Sequence, residues 1–510
     1  MNEVVPPPSG DSTAPAADDT QSPGWLRRRI IEGSLWLVAV RWVLRGLTLI
    51  RTVALARLLG PTDFGVFSMT MLVVRGLELP TSLDLDVALV RQADATDRHF
   101  DAAWTLRALH RLTVSIVLIV AAPLAGRYFN DARTTTTVRV AAIAGLVWAF
   151  ENIGIVNFRK QLDLVKEFVL STVTTVIALA ATVVGAIVLR SYWALVIGFM
   201  VERVVWVVGS YVAHPYRPRP GWAAARELWE FSQWAPIQNT GRLLRSTLDS
   251  FLVGRFFGAT QMGNYAMAGS AAALANVEIV LPVAGVLLPG YAKLTRDAER
   301  LARAYVDALG MIAMLLIGSE VGMVMIAPTF FPTVLGPRWL PAVPAAQWLA
   351  LYTCCTGLGA SVNNVLVVLG RMRRLSGLIY AQLAVFAPVL LLAAWWLDPV
   401  GLAAAKAVTA ACIAPLLFAA LVVVSYVTTW QIVGALWRPV LASLVMAGAI
   451  QVVRWSWHDV SLAALVLQIA TGGLAFFSTS ALLWLVTGRP SGAERTALDW
   501  ITHRLMPRQS

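Results

Sequence analysis

Several apolar segments of this sequence contain ionisable side chains at positions where a lipid bilayer would leave them without water. One segment places polar residues at helical steps of four, three and four: Gln238, Arg242, Arg245 and Asp249. A second segment carries Arg75 and Glu78, three residues apart. Each charge that faces lipid costs about 2.5–3.5 kcal/mol. We therefore expect these side chains to face a water-filled cavity or one another.

Arginine is the commonest of these residues, and the surplus of positive charge predicts an anionic ligand. Arg41 and Arg45 are four residues apart, and Arg45 lies about 18 Å from the predicted inner end of its helix at about 1.5 Å per residue. A guanidinium group stays protonated and binds phosphate oxygens through two parallel hydrogen bonds. A cavity of this kind would repel a cationic drug. The predicted substrate-binding residues are Arg41, Arg45, Arg75, Arg242 and Arg245.

Acidic residues in the same layer are candidates for proton or sodium coupling, because a carboxylate can exchange a cation for an arginine between two states. The candidates are Asp249, Glu78, Glu320 and Asp86. The alternative is that Arg245 neutralises Asp249, and that Arg75 neutralises Glu78, so that each pair only joins helices. Glu202 and Arg203 are further cavity or coupling candidates. Lys406 lies near a helix end and is expected to extend to the outer interface.

The sequence contains no pattern that predicts catalysis, a metal or a cofactor. Cys354, Cys355 and Cys412 all lie in apolar segments, and the five histidines lack the spacing of metal ligands. No glycine-rich loop follows a strand pattern, so no nucleotide site is expected. The net charge of +12 is distributed by side of the membrane and not on one soluble face, which argues against nucleic acid as a partner.

The elements that must position these residues are membrane-spanning helices. The 510 residues are 58% hydrophobic and 14% charged, with a mean hydropathy of +0.68, whereas a soluble domain has about 25% charged residues. Apolar runs have the length of about 20 residues that a spanning helix requires. We predict an all-α polytopic membrane protein with about fourteen transmembrane helices, at 33–57, 66–89, 108–127, 138–157, 169–190, 193–213, 232–255, 265–289, 304–329, 345–369, 376–397, 400–424, 438–453 and 461–487.

The basic residues predict the orientation of these helices. An even number of helices places both termini on one side, and the loops of that side hold most of the arginines and lysines, which is typical of the cytoplasmic face. We therefore expect a cytoplasmic (inner) membrane protein with both termini in the cytoplasm. The predicted organisation is a disordered cytoplasmic tail at 1–24, an N-terminal six-helix lobe at 25–213, a cytoplasmic linker at 214–231, a C-terminal six-helix lobe at 232–424, two additional transmembrane helices at 425–487 and a cytoplasmic tail at 488–510.

An internal repeat relates the two lobes. The stretch Arg57–Met69 aligns with Arg255–Met267, and both copies have Arg, Gly, Thr, Gly and Met at the same positions. Each copy lies at the outer end of the first helix of its lobe, so the lobes are predicted to be parallel repeats. The glycines Gly60 and Gly258 suit tight turns that require unusual backbone angles.

The stretch Ala56–Phe67, which reads ARLLGPTDFGVF, resembles the polysaccharide-flippase family, as do Ala88–Gln92 and Phe158–Asp163. That family belongs to an exporter superfamily that also contains multidrug extruders and lipid II flippases. The resemblance implies two lobes in a V shape, alternating access, and a polyprenyl-diphosphate oligosaccharide as cargo. Members typically have a glycine where this sequence has Asp86, so this position departs from the family pattern.

The resemblance also implies a role for the arginines and for partner proteins. Cavity arginines in the first helix of each lobe are common in such flippases, and the positions that match are Arg41, Arg45, Arg242 and Arg245. Membrane lipids, a polysaccharide polymerase and glycosyltransferases are the expected partners. A multidrug-type ion-coupled exporter and an integral membrane glycosyltransferase or polymerase are the alternative functions. The outer loops are too short for the catalytic residues of such a transferase, so we do not expect an enzyme.

Overall fold

The computed structural model describes residues 46–488, except 93, 161–162, 234, 275, 278–286, 288–289, 292, 295–296, 425 and 458. These described residues are largely helical and form no β-strand. The helices are α1 (46–58), α2 (Pro61–Thr81), α3 (Leu85–Arg91), α4 (Asp97–Phe129), α5 (Ala132–Trp148), α6 (Val156–Lys160), α7 (Leu164–Leu189), α8 (Trp193–Ala213), α9 (Ala225–Ser232), α10 (Ala235–Ala272), α11 (Ala298–Phe330), α12 (Val343–Val368), α13 (Met372–Trp396), α14 (Pro399–Val424), α15 (Thr429–Ser456) and α16 (Leu462–Val486).

Nine helical spans among the described residues are long and apolar enough to cross a membrane, or ten if one bent pair counts as a single span. This confirms the prediction of an all-α polytopic membrane protein. The helices α2 and α10 are not among the nine, and they carry many of the ionisable residues singled out from the sequence. The total of fourteen spans and the domain boundaries stay predictions. Arg41, Arg45 and both predicted tails, apart from residue 488, lie outside the described residues.

Two helices predicted to be continuous are interrupted. The prediction of one helix over 66–89 is wrong, because α2 ends at Thr81 and α3 begins at Leu85. Pro80 in the last turn of α2 has no amide hydrogen to continue the helix. Between the two helices, Asp84 adopts a left-handed backbone with φ of 46°. This break moves Asp86 off the end of α2 and onto the separate helix α3.

The predicted helix 138–157 is also interrupted, by a bend of 69° between α5 and the helical segment 153–160. Asn152 holds the bend, since its side-chain nitrogen donates to the carbonyl oxygen of Tyr216 at 2.7 Å and its Oδ1 accepts from the amide of Gly154 at 2.9 Å. The bend brings the neighbouring Glu151 into the interior of the N-terminal lobe, where it is 5% exposed.

The packing of the helices joins the two halves of the chain along α2 and α10. Val66 and Met69 on α2 are buried in one cluster with Met262 on α10. The last two helices, α15 and α16, pack against α11 through Ala442 and Phe476. Their assignment as an addition to the C-terminal lobe stays a prediction. Nonpolar burial of this kind contributes about 25 cal/mol per Å² in water, while helices in lipid associate mainly through close packing.

Candidate functional site

The repeated stretches Arg57–Met69 and Arg255–Met267 contact each other, and we call their contact the seam. A Cβ atom at Gly65 would overlap the carbonyl oxygen of Ala259, and one at Gly263 would overlap the carbonyl oxygen of Pro61. Pro61 and Ala259 occupy equivalent positions of the repeat. The two contacts are therefore the same contact made twice, as expected for two parallel repeats that face each other across an axis.

The unusual backbone angle predicted for the glycines of the repeat occurs in one copy only. Gly258 has φ of 76°, a conformation that L-residues rarely adopt, and it kinks α10. Gly60 has φ of −89° and precedes α2 in an ordinary extended conformation, so the expectation of an unusual backbone there is wrong. The proline that follows Gly60 starts α2 at its N1 position, where a missing amide hydrogen costs nothing.

Two arginines close the seam from opposite sides. Arg57 donates from Nε to the carbonyl oxygen of Val334 at 3.0 Å, beyond the end of α11. Arg255 donates from Nη1 to the carbonyl oxygen of Tyr128 at 2.7 Å, at the end of α4. Each arginine thus binds backbone carbonyls of the opposite lobe, where the C-terminal end of a helix favours a positive charge. Since Arg57 and Arg255 are equivalent in the repeat, this contact is also made twice.

A cavity of about 580 Å³ lies between the lobes next to the seam. Phe64, Leu195 and Met262 line it near the seam, and Leu243 and Thr247 line it farther along α10. The charged residues among its described lining are Arg51, Arg75, Glu202 and Arg203. Three guanidinium groups against one carboxylate give this central cavity a surplus of positive charge. The arrangement can bind an anion by charge-assisted hydrogen bonds.

The predicted substrate-binding arginines are not all in this cavity. Arg75 lines it. Arg245 donates from Nη1 to Oε1 of Gln382 at 2.8 Å, which directs it toward α13 within the C-terminal lobe. Arg242 is exposed and is not among the cavity residues. Sequence reasoning did not select Arg51, although it lies in the same predicted helix as Arg41 and Arg45.

Asp249 forms a buried ion pair with Lys406, which joins α10 to α14. Oδ2 of Asp249 lies 2.7 Å from Nζ of Lys406, and their side chains are 2% and 5% exposed. The hydroxyl of Tyr265 donates to the same oxygen at 2.6 Å, and the ammonium group lies 4.4 Å from the ring centre of Tyr352. The expectation that Lys406 reaches the outer interface is therefore wrong, because its ammonium group is buried against Asp249. The alternative that Arg245 neutralises Asp249 is also wrong, because a deeply buried carboxylate pairs with the nearest cation, which is Lys406.

The other three coupling candidates lie in two different environments. Glu320 on α11 is 1% exposed, and neither carboxylate oxygen has a hydrogen-bond partner among the described residues. Glu78 lines a second cavity within the N-terminal lobe, and so does Asp86, which is bonded to Nη2 of Arg107. The structure therefore does not bring the four candidates together at one site.

The second cavity adjoins another one, whose lining also includes Asp86, Arg111, Trp148 and Arg159, and we call the two together the N-terminal chamber. The chamber contains a network centred on Glu151. Oε2 of Glu151 lies 2.6 Å from Nη1 of Arg111 and 3.4 Å from Nη1 of Arg107. Its Oε1 accepts from the indole nitrogen of Trp206 at 2.6 Å. Sequence reasoning missed this network. The available signal was the spacing of four residues between Arg107 and Arg111, which places both on one face of α4.

Trp148 lies between two guanidinium groups at the centre of the chamber. The Cζ atom of Arg111 is 3.6 Å from the centre of the indole ring, and that of Arg203 is 3.5 Å from it. Stacking on an aromatic face stabilises a guanidinium group and restricts its orientation. Arg203 also lines the central cavity. Trp148 therefore holds a cavity arginine in place from inside the N-terminal lobe.

The fold and this site define the class of protein as an all-α polytopic membrane protein with a positively charged central cavity, and solved membrane proteins share its fold. A solved structure titled "Lipid II flippase MurJ, inward closed conformation" has a TM-score of 0.71 at 13% identity, covering 89% of this chain and 99% of that chain. An inward-facing multidrug resistance MATE family transporter of the MOP superfamily has a TM-score of 0.55 at 14% identity, covering 74% and 94%. At such identities the likeness concerns the fold alone.

The chain belongs to the family described as "Polysaccharide biosynthesis protein", whose profile matches residues 54–344. This confirms the resemblance read from the ARLLGP stretch. The lipopolysaccharide biosynthesis protein WzxC of Escherichia coli strain K12 is 20% identical over 317 residues, which are 61% of this chain and 64% of that protein. The succinoglycan biosynthesis transport protein ExoT of Rhizobium meliloti strain 1021 is 24% identical over 305 residues, 58% of each chain.

A third relative is the teichuronic acid biosynthesis protein TuaB of Bacillus subtilis strain 168. It is 22% identical over 324 residues, which are 61% of this chain and 65% of that protein. The chain thus matches about three fifths of the length of these curated relatives.

Proposed function

We propose that this protein is a flippase that moves a polyprenyl-diphosphate-linked oligosaccharide across the cytoplasmic membrane during polysaccharide or lipopolysaccharide biosynthesis. The observation that carries the proposal is the central cavity, where Arg51, Arg75 and Arg203 oppose Glu202, the one carboxylate of the described lining. Membership of the polysaccharide biosynthesis family supports the same cargo. The names of the curated relatives, which include a transport protein for succinoglycan, agree with it.

The proposed mechanism is alternating access. Guanidinium groups of the central cavity hold the diphosphate, the polyprenyl chain stays in lipid, and the lobes rock so that the cavity opens on the other side. Closure of the seam by Gly65, Gly263 and the two reciprocal arginines supports a state in which the cavity is blocked at that end. Arg41, Arg45 and Arg242 stay predicted contributors to the same anion site.

The orientation and the partners follow from the same proposal. Both termini lie in the cytoplasm, and the seam faces outward, because the basic loops of the sequence lie at the opposite ends of the helices. The cargo is supplied by glycosyltransferases and consumed by a polysaccharide polymerase. The protein itself transports and does not catalyse.

Translocation assays test the proposal. Purified protein is reconstituted in vesicles with a fluorescent undecaprenyl-diphosphate oligosaccharide, and protection of the label from an external quencher is followed. Arg75→Gln and Arg51→Gln each remove a charge-assisted hydrogen bond of about 1.5–3 kcal/mol, so at sub-saturating lipid we expect roughly 10- to 100-fold slower translocation. The matched control is Arg338→Gln, which removes an exposed arginine outside the cavity.

The two alternative functions predict different results. A multidrug exporter would bind a cationic dye better than the diphosphate lipid, and Arg75→Gln would strengthen dye binding. A transferase or polymerase would lengthen or transfer the glycan, which mass spectrometry of the recovered lipid would detect. Normal translocation by all cavity variants, with the protein folded, would contradict the proposed site.

We also propose Glu320 as the coupling residue among the four candidates. An ionised carboxylate is costly in a buried site, and the described residues offer Glu320 no hydrogen-bond donor, so Glu320 is suited to gaining and losing a proton as its surroundings change. Asp249 and Asp86 are already bonded to Lys406 and Arg107. We expect a proton gradient to drive translocation, and Glu320→Gln to abolish that dependence. Stimulation by a sodium gradient alone would contradict this assignment.

A further inference from the structure

The N-terminal chamber has the opposite charge from the central cavity. It consists of two adjoining halves of about 290 and 300 Å³, whose linings share Asp86, Arg111, Trp148 and Arg159. The carboxylates of its described lining are Glu78, Asp84, Asp86, Glu151, Glu167 and Glu202. Its guanidinium groups are those of Arg107, Arg111, Arg159 and Arg203. Six carboxylates against four arginines would repel a phosphate and favour a group rich in hydrogen-bond donors.

The chamber and the central cavity meet at Glu202 and Arg203. Both residues line the cavity between the lobes and also the half of the chamber that Glu151 lines. Arg203 is stacked on Trp148, so its guanidinium group is fixed at the boundary. The chamber therefore lies directly beside the guanidinium group of Arg203, which also borders the central cavity. A glycosylated lipid matches this arrangement, because its anionic diphosphate suits the positively charged cavity and the hydroxyl groups of the attached sugar suit the carboxylates of the chamber.

The network uses only some of the carboxylates that line the chamber. Glu151 accepts hydrogen bonds from Arg107, Arg111 and Trp206, and Glu167 is bonded to Arg159, so these groups hold the walls. An ionised carboxylate is an acceptor with several lone pairs, and adjacent sugar hydroxyls are donors that match it. Small-molecule sites in proteins have volumes of roughly 300–1,000 Å³, and the volume of each half lies at the lower end of that range.

We propose that the N-terminal chamber binds the sugar residue next to the diphosphate, and so lets the protein distinguish a glycosylated lipid from the bare lipid carrier. The inference rests on the proposed function and adds a second subsite to it. Arg51, Arg75 and Arg203 hold the diphosphate in the central cavity. The chamber's carboxylates, with Glu202 at the boundary, accept hydrogen bonds from the hydroxyl groups of the sugar.

Binding of two probes to the full-length protein tests the proposal. The probes are undecaprenyl diphosphate and undecaprenyl diphosphate carrying N-acetylglucosamine, and binding is measured by native mass spectrometry or thermophoresis in detergent. Val87 lines the chamber and is 52% exposed, so Val87→Trp narrows the chamber without disturbing the buried core. We expect Val87→Trp to weaken binding of the glycosylated probe at least tenfold and to leave binding of the bare probe unchanged.

A matched control lies on the same helix. Val90 is 40% exposed and does not line the chamber, so Val90→Trp should change neither affinity. Arg159→Gln removes a half-exposed guanidinium group shared by both halves of the chamber, and should also lower the preference for the glycosylated probe.

The outcomes separate this inference from the proposed function. If the unaltered protein binds neither probe, the proposed function fails. If it binds both probes with equal affinity, or if Val87→Trp weakens both equally, the chamber does not read the sugar and the inference is wrong, while the diphosphate site stands. Loss of preference in Val87→Trp and Arg159→Gln, with Val90→Trp unchanged, supports the chamber as a sugar subsite.

Discussion

The hydroxyl oxygens of Thr62 and Thr260 lie 2.8 Å apart, and the two threonines are equivalent residues of the internal repeat. Two equivalent residues can touch each other only where the axis that relates the repeats passes between them. The seam is therefore the place where the two lobes meet about their axis. Its contacts must break in pairs when the lobes separate at this end.

Replacing Gly65 by alanine should open the seam. The added methyl group would overlap the carbonyl oxygen of Ala259, and backbone on both sides leaves no room for adjustment. We expect a Thr62→Cys/Thr260→Cys pair to form a disulfide readily in the parent protein and poorly with Gly65→Ala. The control is Gly377→Ala on α13, where a Cβ meets nothing within 4 Å. Equal cross-linking in both backgrounds would show that the seam tolerates the methyl group.

Arg57 and Arg255 should make comparable contributions to closure. Each donates to carbonyl oxygens of the opposite lobe, so Arg57→Gln and Arg255→Gln should each shift the population toward a seam that is open. The measurement is the rate at which maleimide labels Thr62→Cys in each arginine variant and in the parent protein. A faster rate in both variants, and a larger effect in the double variant, is expected. A change in only one of them would contradict the reciprocal arrangement.

Lys406→Met should strongly destabilise the C-terminal lobe. Removal of one partner from a buried ion pair leaves an uncompensated charge, which costs about 3–5 kcal/mol. The expected result is a lower midpoint of thermal unfolding in detergent. The double variant Asp249→Asn/Lys406→Met removes both charges and should recover most of the loss. Failure of the second substitution to restore stability would show that Lys406 acts through a contact other than Asp249.

The linker that follows α8, residues 214–224, should detach from the N-terminal lobe in mild acid. Burial, and then the positive charges of Lys166 and Arg217, lower the pKa of His214 below its usual 6.5. Its Nδ1 accepts a hydrogen bond from the amide of Tyr216 at 3.1 Å, which requires the unprotonated ring nitrogen. Because the folded state disfavours the proton, the contribution of His214 to stability is complete above about pH 6.5 and is lost as the pH falls.

Limited proteolysis of the linker between pH 7.5 and 5 measures this effect. We expect cleavage within residues 214–224 to increase as the pH falls. In His214→Phe, which keeps a ring against Phe158 but cannot titrate, cleavage should not depend on pH over this range. The same pH dependence in both proteins would assign the effect to another group.

The sequence by itself determined that this is an all-α membrane protein of the polysaccharide biosynthesis family. In lipid, the backbone hydrogen bonds of an apolar run must be made within the protein, and for runs of about 20 residues the α-helix does this within the segment itself. The repeat at Arg57 and Arg255 also predicted which segments are equivalent. These properties depend on local composition and spacing, which a single segment carries without reference to its neighbours.

Only the tertiary structure decided which charges meet. Lys406 is 157 positions from Asp249 in the chain, and its pairing depends on how α14 packs against α10. The network around Glu151 likewise depends on the bend after α5, which no local pattern of apolar residues specifies. A buried charge takes the nearest opposite charge in space, because low dielectric surroundings make close pairs strong and unpaired charges costly. Distance along the sequence does not report that proximity.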